Sequence, residues 1–401
     1  MQDFVDKKIV LGVCGGIAAY KSPYLIRELT RLGAQVQVVM TNSAQAFITP
    51  LTMQALSGND VRVELFDLQA ERAMGHIELA RWADYLVIAP ASANCLAKMA
   101  HGLADDLLST LYLVAETPVI VCPAMNKSMW NHSATQANCE ILRQRGVMII
   151  GPEEGSQACG EYGFGRLSDT DTIINGLRLQ EVQGLLKGHQ VLITAGATRE
   201  AIDPVRYISN HSSGKMGYAL AQAAKIAGAD VTLISGITSL PVPAGVTFHT
   251  AVSAKDMHEQ VLKSLQKNMV FIGCAAVADY SPATIAQQKI KKFNDDDLSL
   301  SLSINPDIIA AVAATKKAAY VVGFAAETEN LMENAHKKLH KKNLDMVIAN
   351  QVGDGLGFDA DYNQVTIVTK EAQKVLPLTN KVRLAGQIIA ILAATLQNDD
   401  L

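Results

Sequence analysis

Short apolar runs rich in β-branched residues alternate along this chain with stretches whose apolar residues recur at helical spacing. Residues 8–13 form such a run, followed by Gly15-Gly16, and then by Ile17, Leu25, Ile26 and Leu29 on one helical face, closed by Gly33. The pattern predicts a helix over residues 17–32 and strands over 35–40, 85–89, 118–122 and 147–150. Continuous apolar strands separated by helices imply a parallel sheet covered on both faces. After a break near 184–189 the pattern restarts: residues 190–197 repeat the strand-then-glycine opening. A helix over 217–228 follows, with strands over 230–235, 269–274, 320–323 and 346–349 and an amphipathic helix over 381–396. Residues 283–302, with QKIKKFNDDD inside them, are polar and irregular and read as a flap, and 353–357 mark another loop. The fold class is therefore α/β, in two Rossmann-like domains over residues 1–189 and 190–401.

Composition narrows the function classes. A length of 401 residues suits two domains, and 49% hydrophobic with 18% charged residues is ordinary for globular chains. The net charge is −4, and the two halves carry −4 and 0, which leaves no basic footprint for a nucleic acid. The six cysteines are scattered without a CxxC pair, so neither a zinc site nor a disulfide framework is indicated. The N-terminus lacks a secretory pattern, and no stretch of about 20 residues is apolar enough to span a bilayer. A reducing cytoplasm is the simplest compartment, with no membrane partner.

Several strings carry candidate chemistry. Gly12-Val13-Cys14-Gly15-Gly16-Ile17 joins a strand to a helix, where glycines let a phosphate approach free N–H groups. It is not GxGxxG, and no acidic residue follows the second strand, so NAD use loses support. A plain tight turn is the alternative. Pro90–Cys95 follows a buried strand, the usual place for ligands in doubly wound sheets, and Thr41 and Ser92 offer hydroxyls. Helix capping by Ser92 or Asn94 would explain that string equally. In Pro123–Trp130, Asn126 suits a planar group, and Met125, Met129 and Trp130 suit either an aromatic ring or the core. His76 stands alone. Cys159 lies among Gly160, Gly163 and Gly165 beside Arg166, a mobile setting in which a thiol serves as acid or nucleophile.

On Gly15-Gly16-Ile17-Ala18, His76, Pro90–Asn94, PxMNxxMW at 123–130 and ACGExGxGR at 158–166, the first half resembles the flavin-dependent cysteine decarboxylases. The resemblance implies a flavodoxin-like domain that binds FMN and decarboxylates 4′-phosphopantothenoylcysteine. It implies FMN contacts from Gly15, Gly16, Ile17, Thr41, Ser92, Ala93, Asn94, Cys95 and Met125. It also implies Cys159 as proton donor, His76 assisting proton removal, Asn126 gripping the substrate carboxylate and Arg166 touching substrate. Leu167-Ser168 is a small departure, since Met is commoner there.

In the second half, Ser212-Ser213-Gly214-Lys215 lacks the first Gly and the trailing Ser or Thr of a P-loop. Small residues before a helix suit a phosphate, and equally a cap at Ser212 or Ser213. Gly273–Tyr280 and Phe324 follow strands, Asn305-Pro306-Asp307-Ile308 opens a helix, and Lys338 and Lys342 lie one turn apart on another. Lys289-Ile290-Lys291-Lys292 is a charge run, which on pattern alone reads as a solvated face. With ITAGATREAIDPVR, ISNHSSGKMG, AAVADY, KIKK and NPDI, residues 190–396 resemble the phosphopantothenate–cysteine ligases. The whole chain thus resembles the bacterial family that joins both activities in coenzyme A synthesis.

That second resemblance implies CTP as activating co-substrate, with Mg²⁺ carried mainly by phosphate oxygens and no identified protein ligand. It implies a CTP site of Ser212, Gly214, Lys215, Gly273, Cys274, Ala275, Asp279, Lys289, Asn305, Pro306, Asp307, Ile308, Phe324, Lys338 and Lys342. Asn210 would hold an acyl-cytidylate, Lys289 would neutralise phosphate charge, and Asp203, Arg206 and Ala276 would contact substrate. It further implies a homo-oligomer, trimer-based or dodecameric through the flavin domain, with dimeric ligase domains. The rival reading, a flavin prenyltransferase or peptidyl-cysteine decarboxylase with an unrelated second domain, leaves residues 190–401 unexplained.

Overall fold

The computed structural model describes residues 4–65, 75–291, 298–327, 329–351 and 360–399, with residues 398 and 399 described by backbone alone. The loop at 353–357, Lys292 and the middle of the 283–302 flap lie outside the described residues. The chain divides into two compact units, Met1–Leu177 and Arg178–Leu401. The break read at 189/190 therefore falls inside the second unit. There Leu186 N–H donates to the Ala227 carbonyl at 2.7 Å and Gly184 N–H to Ile226 at 3.3 Å.

In the first unit, β1 (Lys8–Val13), β2 (Gln35–Met40), β3 (Tyr85–Ala91), β4 (Val119–Pro123) and β5 (Met148–Ile149) form one parallel sheet in the order β2-β1-β3-β4-β5. This is the flavodoxin-like strand order. Successive β1 side chains point to opposite faces, as strand geometry requires. Ile9 and Leu11 pack with Ile26, Leu29, Val36 and Val87 on one face, and Val10 packs with Leu86, Ile88, Leu96 and Leu108 on the other. Each fully buried Ile or Leu contributes roughly 1.5–3 kcal/mol. The helix expected over 17–32 is two pieces, a 3₁₀ turn Ile17–Lys21 and an α-helix Ser22–Arg31. Pro23 starts the second piece, where its missing N–H is harmless. A hairpin of β6 (Glu153–Ser156) and β7 (Tyr162–Arg166) follows the sheet.

The second unit holds a sheet in the order β12-β11-β8-β13-β16-β17-β18-β19. Its strands are β8 (Gln190–Ala195), β11 (Asp230–Ser235), β12 (Thr247–Thr250), β13 (Val270–Gly273), β16 (Tyr320–Glu327), β17 (Met346–Gln351), β18 (Tyr362–Thr369) and β19 (Gln373–Asn380). Pairing is parallel as far as β17 and antiparallel from β17 through β19, so this sheet is mixed and not purely parallel. Two small ladders flank it: β9 (Arg199–Ala201) with β10 (Tyr207–Ser209), and β14 (Tyr280–Pro282) with β15 (Leu302–Ile304). The β14–β15 pair forms the base of the flap expected over 283–302.

Strand order reverses between β1 and β3 in one unit and between β8 and β13 in the other. In doubly wound sheets the crevice beyond such a reversal is where ligands bind.

Candidate functional site

In the first unit, the loops leaving β1 and β3 face each other across two adjoining cavities of about 460 and 630 Å³. Gly15, Gly16, Ile17, Ser92, Ala93 and Met125 line the first; Thr41, Asn94 and Cys95 line the second together with Gly15, Ser92 and Ala93. Gly15 is required by contact: a Cβ there would lie 2.5 Å from Ser43 Cβ. The Thr41 Oγ1 is buried without a partner. Ser92 does cap a helix, Ala93–His101, by accepting the Cys95 N–H at 3.2 Å. The Cys95 thiol is pushed well up by its contact with Cys14 and by burial, which makes it inert lining.

The β6–β7 hairpin closes over the loop after β4. Met125 N–H donates to the Gly165 carbonyl at 2.9 Å, and Lys127 N–H donates to Gln157 Oε1 at 3.1 Å. Gly165 has φ 143°, and a Cβ there would collide with the Met125 carbonyl oxygen. This docking puts Cys159 and Asn126 on the wall of the first cavity, with Asn126 Nδ2 3.6 Å from Cys159 Sγ. Asn126 also caps a short helix, its Oδ1 accepting the Ser128 N–H at 2.8 Å. Met125 and Met129 face the cavities, whereas Trp130 packs into the core.

Sequence reasoning missed two residues here. Glu161 accepts from Asn126 Nδ2 at 2.6 Å and lies 3.5 Å from Lys127 Nζ. The Asn126 hydrogen bond, with help from Lys127, holds its carboxyl below the usual range. Lys21 lines the cavity, donates to the Leu167 carbonyl at 3.0 Å, and shares Asp169 with Arg166. The acidic position inside the ACGE string was the available signal for Glu161; Lys21 had none. His76 sits at the start of the helix His76–Trp82 and lines neither cavity, so a single chain does not bring it to Cys159 and Asn126.

In the second unit the residues form three neighbourhoods. At the end of β8, Asn210 Nδ2 donates to the Ala276 carbonyl at 2.9 Å, and Ala276 N–H donates to the Gly196 carbonyl at 2.8 Å. Gly214, with φ 82°, heads the helix Lys215–Ile226 without a side-chain cap, so Ser212 and Ser213 do not cap it in the expected way. Lys215 Nζ pairs with Asp361 at 2.8 Å.

Beyond β13 and β16, Gly273, Cys274 and Ala275 precede Asp279, whose carbonyl accepts the Asn305 N–H at 2.8 Å. Asp307 caps the helix Ile308–Thr315 and pairs with Lys342 at 2.8 Å. Lys342 is the residue that closes the helix Leu331–Lys341, not a member of it. Lys338 Nζ donates to the Phe324 carbonyl at 2.5 Å. Burial and the Lys342 charge push its pKa down to about 8, against the opposing pull of Asp307, Glu327 and Asp279.

The third neighbourhood corrects one expectation. Asp203, expected to touch substrate, has a fully buried carboxylate engaged by protein donors: Arg206 and the N–H groups of Val205, Arg206 and Ile290. Burial opposes its charge, but these donors outweigh burial and hold the carboxyl far below the usual range. Arg206 Nη2 also donates to the Ile290 carbonyl at 2.7 Å. Together they strap down the flap beside Lys289, which stands exposed.

The family model described as "Flavoprotein" matches residues 2–180, and that of the DNA/pantothenate metabolism flavoprotein C-terminal domain matches 186–396. The chain is 51% identical to the coenzyme A biosynthesis bifunctional protein CoaBC of Vibrio cholerae, over 98% of this chain and 99% of that one. The CoaBC of Escherichia coli is 51% identical over 96% and 95%, and that of Bacillus subtilis 45% over 97% of both. A solved C-terminal domain of CoaBC is similar at 40% identity, covering 54% of this chain and all of that one, with a TM-score of 0.46. A PPC decarboxylase variant complexed with pantothenoylaminoethenethiol is 34% identical over 43% of this chain and 97% of its own, with a TM-score of 0.39.

Gly165→Ala should lift the hairpin, accelerating tryptic cleavage after Arg166 by roughly tenfold, since cleavage tracks the open population. Asp203→Asn should do the same at Lys289 and Lys291, by about tenfold, while cleavage in the first unit stays unchanged. Digestion at the rate of the unaltered chain would remove the docking role of Gly165 or the strap, respectively.

Proposed function

Because the chain belongs to the family of bifunctional coenzyme A biosynthesis proteins, we propose that its two units perform that family's two reactions with the residues assembled above. The chain is a decarboxylase and ligase. On our reading, the second unit joins cysteine to 4′-phosphopantothenate, and the first decarboxylates the product to 4′-phosphopantetheine. The convergence of Cys159 and Asn126 on a cavity walled by the Gly15-Gly16 loop carries the decarboxylase assignment.

The residues present fit FMN: an unpartnered hydroxyl at Thr41, a close-approach glycine at Gly15, and the small residues Ser92-Ala93 beyond β3. Bound FMN supplies the two-electron oxidation and re-reduction that flank loss of CO₂. Asn126 donates N–H to the substrate carboxylate, Arg166 attracts the anionic substrate, and the Cys159 thiol holds the proton to be delivered. We place His76 in this site from a second copy of the chain. Exposed Ile17 (61%) and Tyr20 (53%) at the same cavity support a covering subunit. This extends to a cytoplasmic homo-oligomer, trimer-based or dodecameric through the first unit, with dimeric ligase units.

In the ligase, the 4′-phosphopantothenate carboxylate attacks the α-phosphate of CTP, expelling pyrophosphate and forming an acyl-cytidylate. The amine of cysteine then attacks the acyl carbon and expels CMP. Lys338, Lys342 and Asn305–Ile308 line the nucleotide end, Asn210 and Ala276 hold the acyl-cytidylate, and Lys289 brings positive charge from the flap. Asp203 and Arg206 act by positioning that flap. We place Mg²⁺ on phosphate oxygens, because it sheds water reluctantly and both Asp307 oxygens are already engaged.

A one-pot assay tests the whole reading: 4′-phosphopantothenate, cysteine and CTP should yield 4′-phosphopantetheine, CMP and pyrophosphate with this chain alone. A colourless protein would remove the flavin assignment, and absence of CMP would remove the CTP assignment. Lys338 sets a pH limit, since its cation is lost as pH rises through about 8 and the triphosphate then loses an attractive charge. KM for CTP should therefore climb about tenfold between pH 7 and 9.5, and Lys338→Arg, which stays charged, should flatten the rise.

A further inference from the structure

Asn126 is held at both ends of its carboxamide. Its Oδ1 accepts the Ser128 N–H at 2.8 Å, which fixes the orientation of the amide and turns Nδ2 toward the hairpin. The nearest acceptor there is Glu161 Oε2 at 2.6 Å, well inside Gln157 Oε1 at 3.5 Å and Cys159 Sγ at 3.6 Å. A carboxylate already sits on the amide assigned to grip a carboxylate, and 3.7 Å from the thiol assigned to deliver the proton.

We propose that Glu161 is a stand-in for the substrate carboxylate: it occupies Asn126 Nδ2 in the empty site, yields to the incoming carboxylate, and returns when that group has left as CO₂. The inference rests on the reading of Asn126 as the donor to that carboxylate.

Three observations support an exchange over a permanent contact. Only Nδ2 of Asn126 can donate to an anion, and the amide cannot turn to re-aim it, because Oδ1 is committed to the helix cap. Two carboxylates crowded on one NH₂ repel each other, which favours release of one when the other binds. Glu161 can leave without unfolding the hairpin. Its side chain is 40% exposed, while its backbone stays pinned by Gln157 N–H donating to its carbonyl at 2.8 Å. Lys127 Nζ, 3.5 Å away in the paired state, also keeps a positive charge near the outgoing carboxylate. A glutamate is an anion at neutral pH, as a competitor must be, and the Asn126 contact, foremost, holds its carboxyl lower still.

Such competition lowers the apparent affinity of carboxylate-bearing ligands only, by the fraction of sites in which Glu161 has let go. The test uses the full FMN-loaded chain and two ligands that the flavin cannot oxidise, 4′-phosphopantothenoylserine and 4′-phosphopantothenoylethanolamine. They differ by the carboxylate alone. Dissociation constants are read from the perturbed flavin absorbance. Glu161→Gln should bind the serine compound about 3- to 10-fold more tightly and the ethanolamine compound unchanged. Equal or weaker binding of the serine compound, or an equal shift for both ligands, would overturn the proposal. Should the Gln variant fail to load FMN, Glu161→Ala carries the same expectation.

Asn126→Ala separates the two layers. Selective weakening of the serine compound in that variant, with no effect of Glu161→Gln, ends the stand-in role alone. No selective effect of Asn126→Ala ends the underlying reading and the proposal with it.

Discussion

Burial of both faces of each sheet's parallel strands is the constraint from which the rest follows. Once Ile9 and Val10 each face a core, no polar group can be stationed along the strands without desolvation. Chemistry is confined to strand ends, where loops can carry hydroxyls, amides and charges. The reversals at β1/β3 and β8/β13 then choose which ends lie far enough apart to admit a ligand.

Both sites are finished by a returning segment held at its backbone. In the first unit the Gly165 carbonyl accepts the Met125 N–H; in the second a buried carboxylate grips the Ile290 N–H. Holding a flap by its main chain leaves its side chains available for ligands. That arrangement separates the groups that hold a flap from the side chains the flap presents, and the Asp203 carboxylate is one of the groups that hold.

Much of this was legible in the chain. The runs at β1, β2 and β11 matched the observed strand limits because each is a dense block of β-branched and aliphatic residues, interrupted in β2 by Gln37 and in β11 by Thr232 alone. Pro90 misled, since β3 continues through it by an irregular register with β4. The ladders β9–β10 and β14–β15 escaped notice because three-residue strands carry too little periodicity, and β12 because all four of its residues are exposed. In β18, by contrast, Asn363, Val365 and Ile367 alternate inward with neighbours that face out, a signal that was present and went unread. Among candidate site residues, the glycine strings and PxMNxxMW pointed at loops that do line a cavity, but the direction of each side chain did not follow. Trp130 turned to the core, and the Asp203 carboxylate turned to Arg206 and to backbone N–H groups.

Cys159 shows what exposure entails. Cys14, Cys95, Cys122 and Cys139 are buried, whereas Cys159 meets solvent. If this exposed thiol is the proton donor proposed above, the group that must meet solvent to work is also the one that peroxide reaches first. Oxidation to the sulfenic acid removes the S–H and leaves the packed layers untouched. On the proposed role of that thiol, a preparation aged in air would keep its yellow colour and its melting point while losing one of two activities, a failure invisible to every measure of foldedness.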